Sequence, residues 1–197
     1  LYNLGRYQEA LQAYDKALEL KPDDASIWFN KSSVLNSLSR YEDALWALKK
    51  AIKLNPDDDK SWYYKGVTLH NLGRYEEALQ AWYKALEIKP ERNESYEIWR
   101  KKGDTFDKLG RYDEALQAYD KALELKPGDA DICLSKGGVL YNLGRYQEAL
   151  QACDKALEIK PDDADAWFAK GLTLGKLGRH EEAKMASEKA SELKTET

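Results

Sequence analysis

One block of 34 residues, copied in line, governs what this chain can become. Measured from its proline, the stretch Leu72–Pro90, LGRYEEALQAWYKALEIKP, returns at Pro22, Pro56, Pro90, Pro127 and Pro161, at intervals of 34, 34, 37 and 34 residues. A fixed period of this length makes each copy a supersecondary unit that cannot bury its own apolar face and must stack on its neighbours. The 197 residues therefore read as one array, although their number alone would suit one or two globular domains.

Inside each copy two alanines stand seven residues apart, as in Ala44 and Ala51 or Ala78 and Ala85. Seven residues are two helical turns, so both fall on one face and let another helix approach closely. Ahead of each pair stands Tyr7, Tyr41, Tyr75, Tyr112, Tyr146 or His180, and just before it an LGR turn whose glycine can take the left-handed conformation that stops a helix. Ser39 alone breaks that glycine series. Helix formers dominate, prolines sit only at the boundaries, and no β-branched alternating run appears, so the expected fold is all-α.

At this point the chain resembles the tetratricopeptide repeat (TPR) family, a helix-turn-helix unit of 34 residues, over essentially its full length. The resemblance rests on a tryptophan four residues before a glycine (Trp62/Gly66, Trp99/Gly103, Trp167/Gly171), then tyrosine, paired alanines and proline, in order. The departures lie mostly in the first helix, where Lys31, Lys65, Lys102, Lys136 and Lys170 occupy the pattern's leucine place. The implied fold is a right-handed α-solenoid, divided into a truncated repeat at 1–24 and repeats at 25–58, 59–92, 93–129, 130–163 and 164–197. Leu1 falls at the eleventh position of a repeat, and Leu1–Ala25 differs from Leu140–Ala164 only at Tyr14/Cys153 and Leu20/Ile159. A fragment of a longer, recently duplicated array is the expectation.

The fourth repeat carries three extra residues, since Trp99 follows its proline by nine positions where Trp28, Trp62 and Trp167 follow theirs by six. Asn93 or Ser95 can cap there and Glu94 onward suits a helix, which predicts a first helix longer by nearly one turn; a longer loop is the competing reading. The last repeat weakens, with His180 for tyrosine and a polar final helix that partly caps the stack.

The carboxylates of Pro22-Asp23-Asp24, Pro56-Asp57-Asp58-Asp59 and Pro161-Asp162-Asp163 lack calcium-loop spacing and read as helix caps. Each lysine of the ladder Lys31 to Lys170 lies three residues after the tryptophan place, so its stem covers the joint while its ammonium reaches water. An anion track is the rival reading. Cys133 and Cys153 occupy aromatic places and read as small core residues, with a regulatory bond between them as the alternative.

Catalysis has no support: His70 and His180 are far apart in the array, no nucleophile is paired with a base, and no glycine-rich phosphate loop exists. No metal or other cofactor is expected, because histidine and cysteine are too few to converge on zinc. A formal charge of −4 gives no reason to expect nucleic acid or an anionic membrane. No signal peptide or apolar span of membrane length stands out, so the expected setting is the cytoplasm.

The resemblance implies a groove lined by successive first helices, with positions two, five, six, nine, twelve and thirteen facing it. Here they supply Phe29, Asn30, Ser33 and Asn36, then Lys60, Tyr63, Tyr64, Val67, His70 and Asn71. The later repeats add Arg100, Lys101, Asp104 and Lys108, then Leu134, Ser135, Tyr141 and Asn142, and finally Phe168 and Lys176. The second helices are near copies, whereas these positions differ from repeat to repeat. An aromatic middle and mixed charge suit an extended peptide or a partner helix. The clamp by which some family members hold a chaperone's carboxylate tail does not carry over. Its best register offers Asn30 and Lys60, but Tyr64 stands where arginine is needed, and in the next register Phe29, Ser33, Tyr64 and Glu97 break it. The sequence therefore predicts a non-enzymatic scaffold for a protein or peptide partner. The second reading is a structural array that associates end to end through exposed terminal repeats.

Overall fold

The computed structural model describes residues 6–89 and 95–195, all of its regular structure helical. These residues fall into two compact units, one within Leu1–Arg92 and one within Asn93–Thr197. The first holds α1 (Tyr7–Leu20), α2 (Ala25–Ser37), α3 (Tyr41–Leu54), α4 (Asp59–Asn71) and α5 (Tyr75–Ile88). The second holds α6 (Ser95–Lys108), α7 (Tyr112–Leu125), α8 (Ala130–Asn142), α9 (Tyr146–Ile159), α10 (Ala164–Lys176) and α11 (His180–Thr195). Within each unit every helix packs on its chain neighbours, which is the connectivity of a helix-turn-helix solenoid.

The ends of the helices follow from the turn chemistry. Asp24, Asp58, Asp129 and Asp163 cap α2, α4, α8 and α10, and their carboxylates accept from amides of the first turn, at 2.9 Å from Ser26 and 3.0 Å from Ser61 for example. These carboxylates are caps, as their positions predict. At the other end, Gly73, Gly110, Gly144 and Gly178 have φ between 69° and 75°, and the next amide donates back across the turn, as Arg74 does to the Leu69 carbonyl at 2.9 Å. Ser39 adopts the same conformation with φ 56°, so the turn dictates the backbone whether or not the residue suits it. The arginine that follows then reaches forward, and Arg40, Arg74, Arg145 and Arg179 pair with the acid three residues on at 2.6 to 2.7 Å.

Packing between the helices of a pair is set by volume. A Cβ placed on Gly66 would lie 2.3 Å from the Trp82 indole, and one on Gly103 would lie 2.5 Å from the Tyr119 ring. Only glycine lets those rings enter, and both are fully buried together with Ala78, Ala85, Ala115 and Ala122. Trp28, Trp62 and Trp167 use their indole N–H to hold the turn before their own helix, donating to the carbonyls of Pro22, Pro56 and Pro161 at 2.8 to 2.9 Å.

The lysine ladder adds an ion pair to the position expected of it. At the partly exposed joint the ammonium groups of Lys31, Lys136 and Lys170 meet Asp15, Asp120 and Asp154 of the preceding second helix at 2.5 to 2.7 Å. The ammonium groups of Lys31 and Lys170 also lie within 5.4 Å of the centroid of the neighbouring tryptophan, so these two joints are closed by an ion pair over an indole, whereas Cys133 takes the tryptophan's place beside Lys136. Lys102 goes further. It is 1% exposed, with its ammonium 3.9 Å from the Trp99 centroid, and burial pushes its pKa down to about 8.

The last helix is polar where α9 is apolar. Where α9 presents Leu150, Cys153 and Leu157, all buried, α11 presents the exposed Lys184, Ser187 and Ser191. The helix of the fourth repeat begins at Ser95, four residues before its tryptophan, against three residues in α2, α4 and α10. The extra turn expected upstream of it, and Asn93 and Glu94 with it, lie outside the described residues, as does the truncated first helix at 1–5. Cys133 and Cys153 are buried free thiols. Among the described residues no helix is long and apolar enough to cross a membrane.

Three stability changes follow. Ser39→Gly relieves a left-handed non-glycine residue, and chemical denaturation should show a gain of about 1 kcal/mol. Ala78→Leu should lose roughly 1–3 kcal/mol by overpacking the α4/α5 contact. For Lys102 the sign is fixed by its lowered pKa, since the folded chain releases this proton before the unfolded chain does. Stability should rise with pH from about 8 to 10.5, by up to about 3 kcal/mol. That rise should be missing in Lys102→Met, when both proteins are unfolded in urea across the pH series.

Candidate functional site

In the first unit, α2 and α4 lie side by side and bring together only part of the predicted groove. Phe29 and Tyr63 each meet the Tyr64 ring edge-on, with centroids 5.3 Å apart, and Tyr64 stays 36% exposed. Below them the Thr68 hydroxyl donates to the Asn36 amide oxygen at 3.1 Å and ties the two helices. Asn30, Lys60 and Asn71 are exposed around this aromatic step. His70 does not join it. Its ring packs inside its own repeat, 5.2 Å from Tyr75 and 6.0 Å from Trp82 of α5.

In the second unit, α6, α8 and α10 enclose an open cavity of about 370 Å³. Five predicted residues line it: Asp104, Lys108, Ser135, Tyr141 and Asn142. The first helices place them there because positions nine, twelve and thirteen recur on one face. Tyr141 is fixed by its contact with Tyr146 of α9, with centroids 5.4 Å apart. Arg100 and Lys101 do not line the cavity, and neither is a free cation. Arg100 is hydrogen-bonded to Glu97, which raises its pKa, and both cations lie within 4.0 Å of the Asp104 carboxylate. Phe168 is also outside, half exposed with the Lys194 ammonium 5.7 Å from its ring.

Several lining residues escape a reading confined to the first-helix residues named from the sequence. Asp107 stands at position twelve, like His70 and Tyr141, and Gly138 and Leu172 stand at position nine, like Val67; the register alone identifies all three. Tyr119 is different, because it projects from the second helix α7. Its hydroxyl donates to Asp104 at 2.9 Å, and burial and that carboxylate push its pKa far up, so it stays a neutral donor. Burial likewise raises the Asp107 carboxyl.

This cavity is suited to binding. Its polar groups, the carboxylates of Asp104 and Asp107, the Tyr119 hydroxyl and the Lys108 ammonium, surround an apolar floor of Val139, Ala169 and Leu172. The space above Gly138 is open, since a Cβ there would meet nothing within 4 Å. The Cys153 thiol reaches the lining, but burial raises its pKa to about 11, which leaves it protonated and unreactive at neutral pH. No group of three or more His, Cys, Asp and Glu among the described residues could hold a metal ion.

Comparison with known families decides the class. Tetratricopeptide repeat profiles match residues 59–127, 100–164 and 152–185, and the helix pairs described above have that family's length and order. The chain belongs to the tetratricopeptide repeat family. Residues 2–85 of this TPR protein also match the family described as anaphase-promoting complex, cyclosome, subunit 3. Among solved structures the chain is similar to YrrB, described as a TPR protein with an unusual peptide-binding site, at 28% identity and a TM-score of 0.74 over 93% of each chain. It is similar in fold to MamA (41-end) from Desulfovibrio magneticus RS-1, at 23% identity and a TM-score of 0.81 over 88% of this chain and 96% of that one. It is likewise similar in fold to MamA AMB-1, at 24% identity and a TM-score of 0.74 over 86% and 99%. No curated protein matches the TPR chain significantly. The TPR fold is in general that of a protein-interaction scaffold.

Proposed function

We propose that this chain is a non-enzymatic scaffold that holds an extended peptide of a partner protein across α6, α8 and α10. The observation that carries the reading is the cavity of about 370 Å³, large enough for one or two side chains and combining an apolar floor with a few convergent polar groups. Asp104 and Asp107 accept, the Lys108 ammonium donates, and the Tyr119 hydroxyl, its hydrogen given to Asp104, adds an acceptor, so a side chain with an apolar stem and a polar tip is the fitting occupant. In the first unit the exposed step of Phe29, Tyr63 and Tyr64 offers a second aromatic contact. The peptide-binding site ascribed to the similar protein YrrB supports the same class of ligand.

End-to-end self-association, the other expectation, has less support at the α11 face. Lys184, Ser187, Glu188, Ser191 and Glu192 give another copy charge and hydroxyl groups where α9 offers α10 leucines.

Gly138→Phe tests the binding reading, because Gly138 lines the cavity and a Cβ there would meet nothing within 4 Å, so the added ring is expected to fill the space left for a ligand. Peptides selected from a displayed library on the unaltered chain should bind the variant at least about tenfold more weakly, a loss of about 1.4 kcal/mol. The helical circular dichroism and melting temperature should be retained. Equal affinity for both proteins would remove the cavity as the peptide site.

A further inference from the structure

The second helices supply an internal control for one another, and α3 fails to match it on a single exposed face. At four positions of that face, one turn or less apart, α7 carries Gln117, Asp120, Lys121 and Glu124, and α1 and α9 repeat those residue types. In α3 the same places hold Trp46, Lys49, Lys50 and Lys53. The formal charge of the set changes from −1 to +3.

Two of these changes give up ion pairs that α7 makes. Asp120 holds Lys136 of the next first helix at 2.5 Å, and Lys121 holds Glu124 at 2.7 Å. Among the described residues Lys49, Lys50 and Lys53 make no ion pair at all. Lys65 faces Lys49 in place of an aspartate, and burial together with that neighbour lowers its pKa. The acids one turn earlier do not neutralise the lysines, for Asp43 is engaged by Arg40 at 2.6 Å and Glu42 lies 4.0 Å from Arg74. Trp46 meanwhile is 52% exposed, edge-on to Trp28 with centroids 5.1 Å apart and with the Lys50 ammonium 5.3 Å from its ring. Lys49 does feel the Glu77 carboxylate of α5, but Arg74 already binds that acid, so three cations without an ion pair stand beside an exposed indole, an arrangement that a binding surface explains.

We propose that this face of α3 docks a short acidic segment of a partner protein, its carboxylates along Lys49, Lys50 and Lys53 and an apolar side chain over Trp46. The site is independent of the cavity in the second unit. An acidic peptide fits better than nucleic acid for two reasons. The four residues span about 10 Å of helix, the length of a few residues of extended chain. In the same unit the equivalent face of α1 is net negative and that of α5 neutral, and the chain carries −4, so a longer polyanion would gain nothing beyond the patch.

The test installs in α3 the residues its sister helices already carry, as Trp46→Gln, Lys49→Asp and Lys53→Glu combined in the full chain. Calorimetry would follow a peptide of one phenylalanine and four glutamates, the same peptide with glutamine for glutamate, and an oligothymidylate. The expected result is binding of the glutamate peptide that weakens with salt, is absent for the glutamine peptide, and falls at least about tenfold in the variant. Thermal unfolding should show the variant folded and no less stable, since the aspartate introduced by Lys49→Asp can meet Lys65 as Asp120 meets Lys136. The proposal fails if the glutamate peptide does not bind the unaltered chain, or binds the folded variant equally. It also fails if the oligothymidylate binds more tightly than the peptide, or if sedimentation shows that the patch is occupied by a second copy of the chain.

Discussion

The fold depends on one steric match made within each helix pair. A small residue four places after the tryptophan position of the first helix receives the side chain lying between the alanines of the second. Where that side chain is an indole or a phenol, as at Trp82 and Tyr119, glycine is required, and a methyl group would sit well inside contact distance. Opposite Leu48 and Cys153 the requirement relaxes: Ser32 stands in the glycine place facing Leu48, and a Cβ at Gly137 would lie 3.5 Å from the Cys153 sulfur, an ordinary contact, whereas at Gly171 a Cβ would lie 2.7 Å from the Ser187 hydroxyl and 3.2 Å from the Ala183 carbonyl. Volume is therefore exchanged across the pair, and the alanines beside it allow the next helix to close over the result. Such packing tolerates little change in size on either side. It explains why the second helices are nearly uniform while their partners vary on the opposite face.

Charge is arranged around that core in two recurring pairs. The arginine after the turn bridges to the acid three residues later, inside one helix end. The ladder lysine bridges to the aspartate of the preceding repeat, across a joint. The first is exposed and contributes little to stability. The second is partly covered, at Lys31 and Lys170 beside a tryptophan, and it links one repeat to the next. Where the aspartate is missing, at Lys49, the repulsion with Lys65 falls on a partly desolvated site, and the array keeps that cost.

Much of this is legible in the sequence, and the limits have physical reasons. The helix ends can be read because Asp24, Asp58 and Asp163 follow prolines, and because Gly73 and its equivalents occupy a turn that only one conformation closes. Ser39 is visible as a departure, but that it keeps φ 56° rather than altering the turn depends on the tertiary packing of α2 and α3. The pattern places the ladder lysines at the joint and misses their partner, because a pair separated by 16 residues belongs to the stacking geometry and to no local pattern. Tyr119 escapes for the same reason. A reading confined to first helices cannot see that a second-helix phenol reaches through the glycine gap to Asp104. Arg100 and Lys101 read as groove cations, yet Glu97 and Asp104, three or four residues away on the same helix, engage them.

Variation between repeats does not by itself mark a site, since solvent-facing positions drift wherever nothing constrains them. Two properties separate the cavity of the second unit from such drift. Its polar groups converge from three first helices and one second helix, and one of them, the Tyr119 hydroxyl, is held by a buried ring that already has a structural task. Loss of that ring would therefore open the core and release Asp104 at once, whereas filling the space above Gly138 removes only the void. Structure and binding are separable at the glycine and inseparable at the tyrosine, which follows from building a site on the same steric match that holds the helix pair together.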